Sequence, residues 1–409
     1  MIDRQQAEQL ASVWARRDSQ RLGHECVPVV EEFDVGYVIS STVAGGVPTV
    51  PGDLPTTVVD RETGEVSHWP RLPAEIVAQT YRQRRPSQRA PRTVDPAAQL
   101  LREIHRLPTP GTAAHLTVDG RTYVAQGAKG DVEVNHHPMI QGYLSSVPTG
   151  HLVRGGDRHA ELVVVSDVLH EYDHQRALAG QPPLDFEEYL ALLETARLEI
   201  FRVREPGDPA GGPADRPCDS CLTALVHLRL RPWADLAYVE PWRPDPQPLP
   251  DPNRFPAEVA HSLAAAGWRP EFGDELLAEA AIDETCEAVV GSAQLPRFPA
   301  ALQALTAFPS LSSGRRGPGE AVWISRFQVD PLPVAHSVAS LVDFGRVLGV
   351  RLFPIGTERQ DSILAVDERG RIFALDQAGE WFLGPDVDAA LTTLLLGRAP
   401  ARVHDDGTW

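Results

Sequence analysis

Lysine is almost missing from this chain: Lys129 is the only one in 409 residues. Basic residues as a whole are outnumbered, 38 Lys and Arg against 56 Asp and Glu, for a formal net charge of −18. Broad binding to nucleic acid depends on neutralising phosphates, and an acidic chain argues against it. Four cysteines are too few for a disulfide framework, which makes the cytosol, cytoplasmic and reducing, the default compartment. No apolar run reaches the ~18 residues of a membrane-spanning helix, so no membrane association is expected. The opening Met1-Ile-Asp-Arg-Gln-Gln-Ala-Glu has no apolar signal segment and reads as mature from the start. What is present, 42% hydrophobic and 23% charged residues, is the composition of a globular protein, and the length implies two to three domains.

Against that background, His159-Ala160-Glu161 and Pro217-Cys218-Asp-Ser-Cys221 stand out. One imidazole and two thiolates make a three-ligand N/S set for Zn2+ with a fourth position left for water. Zinc lowers the pKa of such a water to ~7. A carboxylate two residues after the His, itself not a ligand, can shuttle protons between that water, a ring nitrogen and a departing amine. H-x-E followed by P-C-x-x-C is the signature of the zinc-dependent nucleobase deaminases. The plainer readings are a structural zinc half-site or a redox pair. A structural zinc needs a second Cys/His pair, and Cys26 and Cys286 stand alone; a redox motif does not call for an upstream H-x-E.

Other residues admit two readings each. Asn135 in "VEVNHHP" is either a turn residue or a contact to ribose or base. Ala160 and Pro217, inside the two motifs, are further substrate-contact candidates. His136 and His137 are adjacent, point opposite ways on a strand, and are not expected to share a metal. His170 and His174 share a helix face but lack a third ligand. Asp219 and Ser220 are expected to hydrogen-bond backbone or sulfur atoms around the metal. Trp268 and Trp381 read as core. The run Arg82, Arg84, Arg85, Arg89, Arg92 is a local basic exception, read as a solvated linker in preference to a nucleic-acid contact.

The pattern divides the chain into three modules. Residues 1–85 read as a small α+β module: a helix from Asp3 to Arg17, strands at Phe33–Ser40 and Thr56–Asp60, a turn with Gly64 at positive φ, and a closing helix from Leu72 to Arg84. Residues 95–245 follow an Arg/Pro/Ser linker at 86–94. They read as a helix to Arg106, a hairpin turning at Asp119-Gly120, the helix opened by His159, a strand at Arg197–Val203, the helix opened by Pro217-Cys218 to about Leu228, and a strand at Leu236–Val239. The long interval between the two motifs is read as an insertion. After the Pro-rich stretch Pro241–Pro256 comes a module at 257–400, with helices at Ala257–Ala266, Phe298–Ala307 and Val387–Leu396 and a hairpin joining Ile363–Val366 to Arg371–Leu375.

Three resemblances attach to these segments. "DRHAELVVVSD" and "RPCDSCLTALV" resemble the YwqJ-like deaminases of the cytidine-deaminase-like fold. That implies a mixed sheet flanked by helices, zinc on His159, Cys218 and Cys221, and Glu161 as the proton shuttle. "VVDRETGEVSHWP" resembles YrhB-like immunity modules. "AEVAHSLAAAGW", "RLFPIGTERQDSILAVDERGRIFALDQAGEWFLG" and "ALTTLLLG" resemble the SUKH family of immunity proteins. The expectation is a multidomain α/β protein: a zinc-dependent hydrolytic deaminase, cytosine favoured by the resemblance, acting on a nucleotide or single-stranded nucleic acid, and flanked by interaction modules. The SUKH-like module implies a protein partner such as a toxin. The rival is an immunity or scaffold protein whose deaminase fold is catalytically silent. Because the candidate catalytic residues all fall within 95–245, separate roles for the flanking modules are expected.

Overall fold

The computed structural model describes residues 1–46, 56–70, 72–84, 102, 105–236, 254–289, 294–359 and 361–409. The linker read at 86–94, most of the helix read from Asp95, the strand read at Leu236–Val239 beyond its first residue, and most of Pro241–Pro256 lie outside them.

The N-terminal part begins with α1 (Arg4–Leu22), whose first turn is closed by a reciprocal Asp3/Gln6 capping box. Then come β1 (Cys26–Phe33), β2 (Gly36–Val43), β3 (Thr56–Asp60), β4 (Val66–Trp69) and α2 (Ala74–Arg84). The strand expected at Phe33–Ser40 is corrected: a tight turn at Asp34-Val35 splits it, Phe33 pairs with Gly36, and Cys26–Phe33 forms a strand of its own. Gly36 permits this, since a Cβ there would lie 2.3 Å from the Val59 carbonyl oxygen. Alternation does the rest. Tyr37, Ile39 and Val59 face α1 through Leu10 and Ala11, while Val38 and Val58 face α2 through Val77 and Tyr81.

The central part contains β5 (Gly111–Val118), β6 (Arg121–Gln126), β7 (Glu133–Val134), α3 (Pro138–Ser146), α4 (Ala160–Leu178), α5 (Phe186–Glu194), β8 (Arg197–Val203), β9 (Gly212–Pro213) and α6 (Asp219–His227). The β5–β6 turn has Asp119 and Gly120 both at positive φ (50° and 75°), as a type I′ turn requires. The described sheet runs β6-β5-β8-β9 and its pairs are antiparallel. Its core joins Leu116, Val118 and Tyr123 to Leu162, Val165 and Leu169 of α4 and to Leu225 and Leu228 beside α6. The short β7 leaves this sheet and pairs in parallel with β4, so a central segment extends the N-terminal sheet.

The C-terminal part has α7 (Ala257–Ala265), α8 (Glu275–Ala288), α9 (Pro299–Ala307), β10 (Ser312–Ser313), β11 (Phe327–Gln328), α10 (Val338–Leu348), β12 (Leu352–Glu358), β13 (Ser362–Asp367), β14 (Ile372–Asp376), β15 (Gly379–Gly384), α11 (Val387–Leu396) and β16 (Ala401–Arg402). Its seven strands form one sheet in chain order. Trp268 and Trp381 are both buried in its core. Among the described residues no helix is long and apolar enough to cross a membrane.

The central and C-terminal parts meet through buried polar contacts. Arg154, 5% exposed, donates to Glu358 at 2.8 Å and to Asp376 at 3.0 Å. The backbone joins too: Gly150 donates to Ala321 (3.2 Å), Gly319 to Gly150 (3.3 Å) and Trp323 to Leu152 (3.0 Å). Gly150, at φ +84°, is required here, because a Cβ would meet the Gly319 carbonyl oxygen at 2.2 Å. Further along, Arg102 pairs with Asp343 at 2.8 Å, and Arg106 with Asp405.

Candidate active site

Two helix starts converge. The chain leaves the module contact through Gly155, at φ +62°, makes one 3-10 turn at Gly156–Arg158, and ends on His159, the N-cap of α4. Arg158 holds this approach: its buried guanidinium donates to the carbonyls of Ala128, Gly130 and Val132 at 2.7–2.9 Å. Cys218 is the N-cap of α6, its sulfur facing the Cys221 amide at 3.5 Å. His159 uses no side-chain atom for capping. Its Nδ1 instead lies 3.4 Å from Cys218 Sγ and 3.3 Å from Cys221 Sγ. The positive ends of two helices thus face the thiols, which favours thiolate.

The donor set fits a zinc ion. Tetrahedral Zn–N and Zn–S bonds of ~2.0–2.3 Å put ligand atoms roughly 3.5 Å apart, close to the separations found. The three ligand atoms lie within 4.8 Å of one another, and His159, Cys218 and Cys221 are the one such group among the described residues. His159 Nε2 and one carboxylate oxygen of Glu161 are buried without a hydrogen-bond partner, which leaves both open to a ligand or water at this centre.

Burial pushes the Glu161 carboxyl up to about 7, only partly opposed by His159. Burial by itself would lower His159, but the Cys218 thiolate outweighs it and raises the imidazole to about 9. Cys218 is held well below the usual thiol range by its hydrogen bond with Cys221 and, against burial, by the charge on His159. Its partner Cys221 is pushed up by the same shared hydrogen bond and by burial.

A cavity of about 250 Å³ opens on this centre, lined by Glu161, Pro217 and Cys218. Ala160, fully buried, donates its backbone N–H to Gln377 Oε1 at 3.3 Å. Asn135 is not part of the cavity lining; its amide donates to the His68 carbonyl at 3.0 Å, towards the N-terminal sheet. Ser220 accepts from the Val153 amide (3.3 Å) and touches Cys218 Sγ (3.7 Å), as the sequence suggests. Asp219 is corrected: its carboxylate pairs with Arg316 at 2.6 Å rather than with backbone or sulfur. His136 and His137 diverge, one to the Asp157 carbonyl (2.5 Å) and the other to Asp173 (3.0 Å).

The candidate ligands and Glu161 all fall within 95–245, but the wall of the cavity does not. Arg316, Ser325, Arg326, Arg359, Asp361 and Gln377, all from the C-terminal part, line the same cavity. The β14–β15 turn carries Gln377 to the start of α4, and its neighbour Ala378 accepts from Arg158 Nε at 3.3 Å. Reading the sequence missed these residues because no local pattern marks them. They lie far from His159 in the chain and are brought there by packing alone. The one local oddity is Arg359, a non-glycine residue at φ +68°.

Neither curated proteins nor solved structures yield a match to this chain. Three family models do match it: the Immunity protein 35-like domain over residues 5–89, the YwqJ-like deaminase over 95–230 and the SUKH-3 immunity protein over 255–397. The first is the immunity-type module that the sequence likened to YrhB. From N- to C-terminus, then, the chain joins segments similar to an Imm35-like immunity domain, a YwqJ-like deaminase and a SUKH-3 immunity domain.

Proposed function

We propose that the protein is a zinc-dependent hydrolytic deaminase of a nucleobase, its three modules spanning 1–85, 95–245 and 257–400. The observation that carries this reading is the convergence of His159 Nδ1 with both sulfurs beside the buried Glu161. His159, Cys218 and Cys221 would hold the zinc, which supplies Lewis acidity that makes water a nucleophile near neutral pH. Glu161, kept out of the ligand set and buried beside the centre with one carboxylate oxygen unpartnered, delivers a proton to the ring nitrogen of the base. It then takes in turn the two protons lost by the attacking water, passing the first to the departing amine and keeping the second, so that base and water become the oxo base and ammonia and Glu161 is protonated again. Pro217 shapes the cavity wall, and Gln377 steadies the Ala160 amide between ligand and acid. Cytosine is the favoured base, and the reducing cytoplasm keeps the thiols available.

The test is elemental analysis combined with an ammonia-release assay on cytidine, adenosine, their nucleotides, and single-stranded DNA and RNA. One zinc per chain is expected, together with a Glu161→Ala variant that keeps the zinc and releases no ammonia. Loss of zinc from that variant would assign Glu161 a structural role instead. A second reading, an immunity or scaffold protein binding a toxin through the SUKH-like module, is favoured by the two flanking immunity-type matches. It wins if a polypeptide partner is captured by the zinc-loaded chain and none of these substrates is turned over.

A further inference from the structure

The cavity over Glu161 carries a charge balance opposite to that of the chain. Five arginines line it: Arg202 and Arg216 from the central part, and Arg316, Arg326 and Arg359 from the C-terminal part. Three carboxylates face them, Glu161, Asp219 and Asp361, in a protein whose net charge is −18. A cationic pocket inside an acidic protein concentrates field on an anionic ligand.

Two of these guanidinium groups are also incompletely satisfied. Arg316 donates to Asp219 at 2.6 Å and Arg359 to Asp376 at 3.1 Å, yet Nε of each is buried without a hydrogen-bond partner, that of Arg359 standing 3.5 Å from the Asp361 carboxylate. The Arg326 side chain is exposed, with no hydrogen-bond or ion-pair partner among the described residues, and can turn to a ligand. Arg359 sits in the turn between β12 and β13, where its left-handed backbone (φ +68°) is that of a hairpin residue. Arg359 lines the same cavity as Glu161 and Cys218, which places it beside the candidate centre. A phosphate offers several acceptor oxygens in the geometry that guanidinium forks match.

We propose that the arginine-lined side of this cavity is a phosphate subsite and that the substrate is a free phosphorylated nucleoside, gripped by arginines that the C-terminal module supplies. The proposal rests on the deaminase reading for the base-bearing half of the ligand. A mononucleotide, rather than a strand, follows from two observations. The cavity, at about 250 Å³, is slightly below the ~300 Å³ small end of ligand pockets, and the two modules around it are tied by the backbone bonds between 150–152 and 319–323. The acidic exterior repels a polyanion. The immunity-type module is on this view a working wall of the enzyme.

The experiment uses the full-length, zinc-loaded chain. Binding is measured by calorimetry to the Glu161→Gln protein, comparing cytidine with cytidine 5′-monophosphate, adenosine with its 5′-monophosphate, and a short cytosine-containing oligonucleotide. Ammonia release is measured in parallel on the unsubstituted chain. Each nucleotide is expected to bind at least about tenfold more tightly than its nucleoside, with inorganic phosphate competing. Adding Arg326→Glu should erase that advantage, while Arg326→Lys should retain most of it. Arg326 is exposed, so an unchanged circular-dichroism melt separates these effects from misfolding. Equal binding of nucleoside and nucleotide overturns the phosphate subsite even if both are deaminated. Tighter binding of the oligonucleotide than of the mononucleotide overturns the free-nucleotide assignment. Arginine-dependent nucleotide binding without ammonia from any compound upholds the subsite and refutes the deaminase reading.

Discussion

Arg154→Ala should uncouple the central and C-terminal modules. The guanidinium is 5% exposed and donates to Glu358 (7% exposed) and Asp376 (fully buried) at 2.8 and 3.0 Å, with Ser362 at 3.4 Å. Its face stands 5.7 Å from the Trp381 ring centroid. Removing it leaves Asp376 with Arg359, the Trp381 indole and the Ala378 amide. Glu358 loses the guanidinium it meets in hydrogen-bond range. Breaking one side of a buried ion pair costs about 3–5 kcal/mol, chiefly because a charge is stranded without water or partner. Urea unfolding of the full chain, followed by both circular dichroism and tryptophan fluorescence, measures it; two probes are needed because linked modules need not unfold in one step. Arg154→Met combined with Glu358→Leu should recover much of the loss, since an apolar replacement of the whole pair strands less charge. The reasoning fails if Arg154→Ala leaves every transition within about 1 kcal/mol of the parent, or if the double substitution is no better than the single one.

Two further perturbations test the geometry at the site. Gly155→Ala should destabilise by roughly 2 kcal/mol or more, since it combines a positive φ with overpacking: its Cβ would meet Ala378 Cβ at 2.5 Å and Trp381 at 2.9 Å. Gly180→Ala, at a similar φ (+68°) but with nothing within 4 Å, should cost only about 1 kcal/mol in the same unfolding assay. In chelator-stripped protein, Glu161 has a folded-state pKa raised from 4.5 to about 7, so the stability linked to it is full below pH 4.5 and lost as pH rises through 7. That loss is about 3 kcal/mol, and a Glu161→Gln variant should flatten the decline measured between pH 5 and 8; parallel slopes for the two proteins would contradict the burial assigned to this carboxyl.

The chemistry of the candidate centre was legible because it is written in short stretches. H-A-E and P-C-x-x-C each occupy a helix start, where local backbone geometry aims the side chains, and reading them required only that the two starts meet. The hairpin at Asp119-Gly120 and strand Arg197–Val203 were legible for the same reason, since alternation and turn residues act over a few positions. The strand boundary at Phe33 was misread because Val35 and its neighbours look continuous, and only pairing with a partner strand reveals the turn. Asp219 was misassigned because its partner, Arg316, arrives from the far module.

Which residues stand opposite the motif was decided by the tertiary structure alone. Arg326, Arg359 and Gln377 lie in sheet edges and turns whose sequence says only that they are exposed or turning. They reach the cavity because Arg154, Glu358 and Asp376 form a buried ion cluster that docks one module on the other. Such a contact has no period and no spacing. Its energy depends on desolvation and on partners about two hundred residues away, which a sequence does not display until the chain is folded.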